Sequence, residues 1–215
     1  MATAEGQTRE GSFLPTVRRA ALGIAAGGAA LLATTAGLEA QPADGCWIRG
    51  DPADLELRIS RLDSASVELG GETVKVCYSR PRKLDRPIMG RLVPFGEPWR
   101  LGANEATVIH LPFAASVADV PVEAGSYSLY AFPDRESWRI VVNEETRRWG
   151  IPIDEEVRER DVGSGTVPAE RIEETVETMT VRLERVSETR ARMRVEWERT
   201  GVTVPIRRID PEDLD

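Results

Sequence analysis

Five arginines crowd into one stretch of the sequence that shows little regular patterning, residues 78–107. They are Arg80, Arg82, Arg86, Arg91 and Arg100. A guanidinium group binds carboxylates and phosphates through two parallel hydrogen bonds. Trp99, in the same stretch, offers a flat surface on which a sugar or another ring can stack. These residue types favour recognition of a small ligand, either anionic or carbohydrate.

The stretch is too long and too apolar to be an ordinary linker. Loops of more than about 12–15 residues without secondary structure are usually functional or disordered, and disordered segments are poor in large apolar side chains. This one contains Ile88, Met89, Leu92, Val93, Phe95 and Trp99. We therefore predict an ordered loop on a rigid scaffold, which is where binding sites concentrate.

Polar and aromatic residues of this loop are predicted to converge as a ligand-binding pocket at one end of the domain. The candidates are Arg80, Arg86, Trp99, Arg100, Asn104 and Glu105. A catalytic alternative uses Glu105 as general acid or base and Arg100 to stabilise developing negative charge. Glu97 or Asp85 would then supply a second carboxylate for glycan chemistry.

The same residues also have a structural interpretation. Proline and glycine shape the loop, and Trp99 caps one end of the core. Arg100 and Glu105 form an ion pair in this interpretation, while the Asn104 side chain hydrogen-bonds backbone to close a turn.

Other common chemistries find no support in the sequence. There is no phosphate-binding glycine loop, no dinucleotide fingerprint and no G-x-S-x-G elbow. His110 is the only histidine, which excludes a multi-histidine metal site, and strand alternation points it away from Ile109 and Leu111. We expect no cofactor and no metal. The net charge of −8 argues against nucleic-acid binding.

The first forty residues have the pattern of a secretory signal. Arg18 and Arg19 precede an uncharged run of small and aliphatic residues, 20–38, and Ala40 stands at a suitable cleavage position. The arginine pair and the weak apolar run favour the twin-arginine type. The alternative is an uncleaved membrane anchor, which would be the only membrane contact. The sequence predicts an exported protein, periplasmic or extracellular.

The two cysteines suit that location. Cys46 follows the predicted cleavage point, and Cys77 lies in a strand pattern on the face opposite Val76. An even cysteine count in an exported chain permits one disulfide, here joining the N-terminal tail to the sheet. The alternative is that Cys46 is a lipidated N-terminus, although the residues before it lack the usual leucine.

Period-two alternation dominates the remaining chain and predicts antiparallel strands with one wet face. Leu55, Leu57 and Ile59 alternate with polar residues, as do Met193, Val195 and Trp197. Only residues 154–161 favour a short helix. We predict an all-β fold, a single antiparallel β-sandwich that is jelly-roll-like or Greek-key. Residues 41–61 are the tail and first strand, 62–207 the sandwich and 208–215 a C-terminal tail.

Four phrases of the sequence closely resemble the bacterial domain of unknown function 2911 (DUF2911) family. They are SRP, R-x-I-x-G-x-LVPFGEPWRLGANEAT, GSYSLYAFP and W-x-I-x-x-N. The resemblance runs from about Leu62 to Ile206 and implies an exported β-rich domain with no established activity. His110 lies outside the family's motif, which maps onto Arg80, Pro81, Arg86, Gly90, Pro94, Trp99, Arg100, Gly102, Asn104 and Glu105.

Three functions follow as hypotheses. The first is a non-catalytic β-sandwich of the cell envelope that binds an unknown small molecule or an envelope protein. The second is a carboxylate-based hydrolase or lyase acting on envelope glycans, and the third is a purely structural envelope protein.

Overall fold

A computed structural model describes residues 45–214, so the predicted signal segment and the last residue lie outside the described part. The strands are β1 Arg61–Leu69, β2 Glu72–Arg80, β3 Ala103–Leu111, β4 Ala115–Val117, β5 Val120–Val122, β6 Gly125–Pro133, β7 Ser137–Asn143, β8 Asp161–Arg185 and β9 Arg190–Arg208. The helices are α1, Glu155–Arg158, and two 3₁₀ helices, Pro52–Leu57 and Pro211–Leu214. Within the described range, no helix is long and apolar enough to span a membrane.

The nine strands form one antiparallel sheet, in the order β1-β2-β3-β6-β7-β8-β9-β4-β5. The sheet folds over on itself along its longest strand. Residues 161–168 of β8 pair with β7, whereas residues 169–185 pair with β9. Where the sheet folds over, the backbone of Gly165 lies so close to Ala118 that a Cβ at position 165 would overlap the Ala118 carbonyl. One sheet thereby supplies both layers, and the predicted all-β sandwich is confirmed.

The core lies between the two layers. Side chains from both layers form one buried cluster, and Trp138, Trp197, Ile109 and Met193 are among its largest fully buried members. The alternation read from the sequence is confirmed in β9, where Val195 and Trp197 are buried while Arg192 is exposed.

Tyr78 links β2 to the part of β8 that pairs with β9. Its hydroxyl accepts a hydrogen bond from the Val181 amide at 3.0 Å and lies within 3.5 Å of the Val181 carbonyl. The side chain is 2% exposed, and burial raises the pKa of Tyr78, so the hydroxyl stays protonated at neutral pH.

The N-terminal segment, residues 45–60, lies over the outer face of β2 and β3. The predicted disulfide is confirmed: Cys46 and Cys77 are bonded, with their Cα atoms 5.6 Å apart. The alternation of Leu55, Leu57 and Ile59 does not form the strand it favours, because Asp51 caps a 3₁₀ helix that Pro52 begins. Leu57 and Ile59 are left 82% and 77% exposed.

Candidate functional site

The arginine-rich stretch forms an ordered loop, residues 81–102, between β2 and β3. Its backbone is tied to two strands: Lys83 N donates to Glu177 O at 2.8 Å, and Trp99 exchanges two hydrogen bonds with Ala131. Ile88 and Leu101 are fully buried in the core. The loop therefore packs on the sheet as part of the domain.

Trp99 is a structural residue in this arrangement. Its ring stacks on Trp197 at a centroid distance of 6.0 Å and meets the edge of Trp138 at 5.5 Å. The side chain packs partly buried against the main core. These contacts match the interpretation of Trp99 as a cap on one end of the core.

Trp99→Phe is expected to lower the free energy of unfolding by about 1–2 kcal/mol, because a smaller ring weakens two aromatic contacts. Chemical denaturation of the wild type and the variant measures this. If stability is unchanged while ligand binding is lost, Trp99 is a stacking platform for ligand and the structural assignment is wrong.

Arg80, the last residue of β2, and Arg86, in the loop, bind different parts of the backbone. The Arg80 guanidinium lies 3.1 Å from Asp63 and donates to the Met179 carbonyl at 3.2 Å, linking β1 and β2 to β8. Arg86 donates to the carbonyls of Lys83 and Arg82 at 3.0 and 2.8 Å. Both guanidinium groups fix backbone here.

Arg100 and Asn104 lie together beneath Gly150. Arg100 donates to the Gly102 carbonyl at 3.2 Å, and burial lowers its pKa. Asn104 has a φ of +57° and donates to the carbonyl of Ser60 at 2.8 Å. A Cβ at Gly150 would overlap the Arg100 side chain. This contact requires glycine at position 150 and ties the family motif to the β7–α1 connection.

Glu105 pairs with Arg58, not with Arg100 as the structural interpretation expected. Its carboxylate accepts two hydrogen bonds from Arg58, at 2.8 and 2.9 Å, and one from the Arg49 amide at 2.9 Å. The two side chains are only 5% and 15% exposed. Glu105 therefore holds the N-terminal segment to β3, and it lines a cavity to which neither Asp85 nor Glu97 contributes.

The six candidates thus divide into separate groups. Arg100, Asn104 and Glu105 come together under residues 148–150, while Arg80, Arg86 and Trp99 each contact other elements. Ligand binding by these residues stays a prediction.

An open cleft of about 770 Å³ lies beside the loop, and we call it the loop cleft. The loop contributes Lys83, Arg91 and Phe95, and the rest of the lining comes from irregular parts of β8 and β9 and from the β6–β7 turn. The cleft thus lies on the predicted loop but uses other side chains.

Five basic side chains line the loop cleft: Lys83, Arg91, Arg135, Arg171 and Arg199. Three acidic ones join them: Asp134, Glu170 and Glu198. A cleft with more cations than anions in a chain of net charge −8 concentrates positive potential locally.

The acidic groups of the loop cleft already have hydrogen-bond or ion-pair partners within the protein. Glu198 accepts hydrogen bonds from the amides of Ile88 and Met89, both at 3.2 Å, and Glu170 pairs with Arg194. Asp134 accepts from the Arg135 amide at 2.7 Å.

Three of the cations, in contrast, face the loop cleft without partners. The side chains of Lys83, Arg91 and Arg171 make no hydrogen bond or ion pair with any other residue of 45–214. Arg135 lies 5.1 Å over the Phe95 ring. Positive charge is therefore available for a ligand.

Sequence reasoning missed Arg135, Arg171 and Arg199. They lie far from the loop in sequence and read as ordinary outward-facing charges, so only the folded chain brings them to the cleft. A useful signal was the break in alternation around residues 171–176, where the pairing of β8 with β9 shifts register.

His110 lies in a small cavity of about 140 Å³ beside the disulfide. Its Nδ1 is 2.8 Å from Ser126 Oγ and its Nε2 is 3.6 Å from Cys77 Sγ. Burial, with help from Lys75, lowers the pKa of His110, so the ring is neutral at pH 7. Among residues 45–214, no group of three His, Cys, Asp or Glu side chains could hold a metal.

Comparison with known proteins gives a family without an activity. A family model described as "Protein of unknown function (DUF2911)" matches residues 60–206. The resemblance seen in the sequence is thereby confirmed. No curated protein and no solved structure matches the chain.

Proposed function

Because the chain belongs to the DUF2911 family, whose description is a protein of unknown function, we propose its role from the geometry of the loop cleft. The protein is a non-catalytic, exported binding domain, and its ligand is a small anion that lies in the loop cleft. The observation that carries the proposal is that Lys83 and Arg91 of the loop and Arg171 of β8 line one cleft and have no side-chain partner among residues 45–214.

The chemistry of the cleft favours an anion with more than one charged group. Guanidinium groups bind carboxylate and phosphate oxygens in pairs. Basic groups from the loop, from β8 and from β9 suit a ligand with more than one negative group, and the Phe95 ring under Arg135 adds an apolar surface. A sugar acid or a small polycarboxylate has this form.

Export is supported by two features. Residues 1–40 have the residue pattern of a secretory signal, and a disulfide joins the N-terminal segment to the sheet, as is common in oxidising compartments. A location in the cell envelope is part of the proposal.

The hydrolase hypothesis has less support. Its proposed acid or base, Glu105, is buried against Arg58 and accepts three hydrogen bonds. A general acid or base must reach the proton it transfers, and Glu105 would first have to leave Arg58.

Thermal unfolding with citrate, glucuronate or inorganic phosphate tests the proposal. A ligand at a hundred times its Kd adds about 2.7 kcal/mol to the free energy of unfolding, a rise in Tm of roughly 5–10 °C. In Arg91→Ala/Arg171→Ala we expect this rise to vanish while the Tm without ligand stays nearly the same, since both residues are exposed.

Arg207→Ala is the matched control, because Arg207 is also exposed but lies seven residues beyond Thr200 along β9, about 23 Å at the usual strand rise. Its ligand-induced rise should equal that of the wild type. Equal rises in all three proteins would show that binding occurs elsewhere, and no rise with any probe would leave the structural hypothesis as the better one.

A further inference from the structure

A second cleft, of about 530 Å³, lies at the β7–α1 connection, and we call it the Arg148 cleft. Its lining includes Arg148, Trp149, Ile151, Pro152 and Glu156. The lining also includes two exposed cations, Arg49 and Arg160, and three more acids, Glu145, Asp154 and Glu159. Acidic side chains therefore outnumber basic ones by four to three, whereas basic side chains outnumber acidic ones in the loop cleft.

Only one of the three nitrogens of the Arg148 guanidinium has hydrogen-bond partners in the described part of the chain. Nη1 donates to the carbonyls of Trp149 and Gly150 at 3.3 and 3.1 Å. Nε and Nη2 are shielded from solvent and have no hydrogen-bond partner in the described part of the chain. A buried donor without a partner is costly, and more so when it carries charge.

The two unsatisfied groups share one edge of the planar guanidinium. Their N–H bonds run parallel, the geometry that takes both oxygens of a carboxylate in a bidentate pair. The backbone of Arg148 is fixed to β3, because its carbonyl accepts a hydrogen bond from the Ala106 amide at 3.2 Å. The edge is therefore positioned in advance of any ligand.

No carboxylate among residues 45–214 hydrogen-bonds to this edge of the guanidinium. Three act on Arg148 through space: Glu145, Asp154 and Asp161. Each is already used by another group. Arg160 pairs with Glu145 at 3.5 Å, the Val157 amide donates to Asp154 at 3.2 Å, and Asp161 accepts from Tyr130 and Asn143 at 2.6 and 2.8 Å.

We propose that the Arg148 cleft binds an α-amino acid with an apolar side chain. The carboxylate forms the bidentate pair with Nε and Nη2 of Arg148. The ammonium group lies towards the exposed acids Glu156 and Glu159, and the side chain packs on Trp149 and Ile151. Because Nε and Nη2 are shielded from solvent, binding requires the side chains over this edge to move.

The acidic side chains of the cleft decide between anions. Four acidic side chains, Glu145, Asp154, Glu156 and Glu159, line the cleft against three basic ones, Arg49, Arg148 and Arg160, so a phosphate dianion meets more negative than positive charge there. A zwitterion has no net charge and places its positive end against the acidic side chains. A carboxylate without an ammonium group is expected to bind more weakly for the same reason.

The test is an NMR titration of the oxidised ¹⁵N-labelled protein, observing arginine Nε–Hε signals. The probes are L-leucine, N-acetyl-L-leucine, which lacks the ammonium group, and L-leucinamide, which lacks the carboxylate. We expect a saturable shift of the Arg148 signal with leucine, at least ten-fold weaker binding of the acetylated form, and no saturation with the amide. Inorganic phosphate is expected to leave the Arg148 signal unmoved.

Arg148→Lys keeps the charge but has no planar edge, so leucine should no longer stabilise it against heat. Arg192→Lys is the control, because the Nε of Arg192 is already paired with Glu184 at 2.7 Å on an exposed face. Its leucine response should match that of the wild type.

The proposal is overturned if the wild-type Arg148 signal fails to saturate with leucine, or if leucinamide binds as well as leucine. Equal binding of leucine and N-acetyl-leucine would overturn the assignment of the ammonium group to the acidic side chains. The NMR result stands even if Arg148→Lys does not fold, since it is measured on the wild type.

Discussion

Glu105→Ala is expected to lower the free energy of unfolding by about 3–5 kcal/mol, the cost of breaking a buried ion pair on one side. The Arg58 side chain is only 15% exposed, so its charge would remain buried with no carboxylate beside it. The Arg49 amide would lose its acceptor as well. For a domain of this size the Tm should fall by roughly 6–20 °C, measured by calorimetry.

A double-mutant cycle separates the energy of the Arg58–Glu105 interaction from the other effects of removing each side chain. Arg58→Ala/Glu105→Ala should be more stable than Glu105→Ala alone, because it removes the stranded cation. Glu105→Gln keeps an acceptor for the Arg49 amide and should lose less. If Glu105→Ala unfolds at the wild-type temperature and abolishes a turnover, the residue is catalytic and its structural assignment here fails.

Removing the disulfide through Cys46→Ala/Cys77→Ala is expected to cost about 3.7 kcal/mol, from the chain entropy of a loop with a sequence separation of 31. The bond restricts the unfolded chain, and without it the segment that carries Arg58 has more freedom to lose on folding. Urea denaturation of the variant and the oxidised wild type measures the difference.

Reductant provides the control for the disulfide prediction. Once the bond is broken, the wild type should approach the stability of the double alanine variant, and the variant itself should not respond to reductant. Both sulfurs belong to buried residues, at 0% and 5% exposure, so reduction should be slow in the folded protein. Equal stability of the variant and the oxidised wild type would contradict the prediction.

The strands could be predicted from the sequence because their signal is local. Alternation in β9 marks which side chains face the core without knowledge of any other strand. Gly70 and Gly71 mark the β1–β2 turn in the same way, and both adopt positive φ. The pairing of Cys46 with Cys77 needed only a count of two and a predicted export signal.

The alternation pattern gave a wrong prediction in one segment, because the residues that precede the pattern decide the conformation of the segment there. Leu55, Leu57 and Ile59 alternate as a strand would, but Asp51 and Pro52 begin a 3₁₀ helix before the pattern can act. An apolar alternation of three residues is a weak signal when a cap and a proline precede it.

The candidate site was the least accessible part to sequence reasoning. The loop and its ordered character could be predicted from its composition, but the partners of its residues could not. Glu105 accepts hydrogen bonds from Arg58, 47 positions earlier in the sequence, and Arg80 donates to Thr180, 100 positions later. Residue type alone does not distinguish an arginine that supports backbone, such as Arg86, from one whose side chain has no partner among residues 45–214, such as Arg171.

The disulfide also determines how the domain would carry a mechanical load. A pull applied to the chain before Cys46 passes through the sulfur bridge directly to Cys77, in the middle of β2. The residues between the two cysteines, including β1, are spared the tension. The force instead loads the hydrogen bonds of β2 to its two neighbours together, so a domain tethered by its N-terminus would resist unravelling from that end.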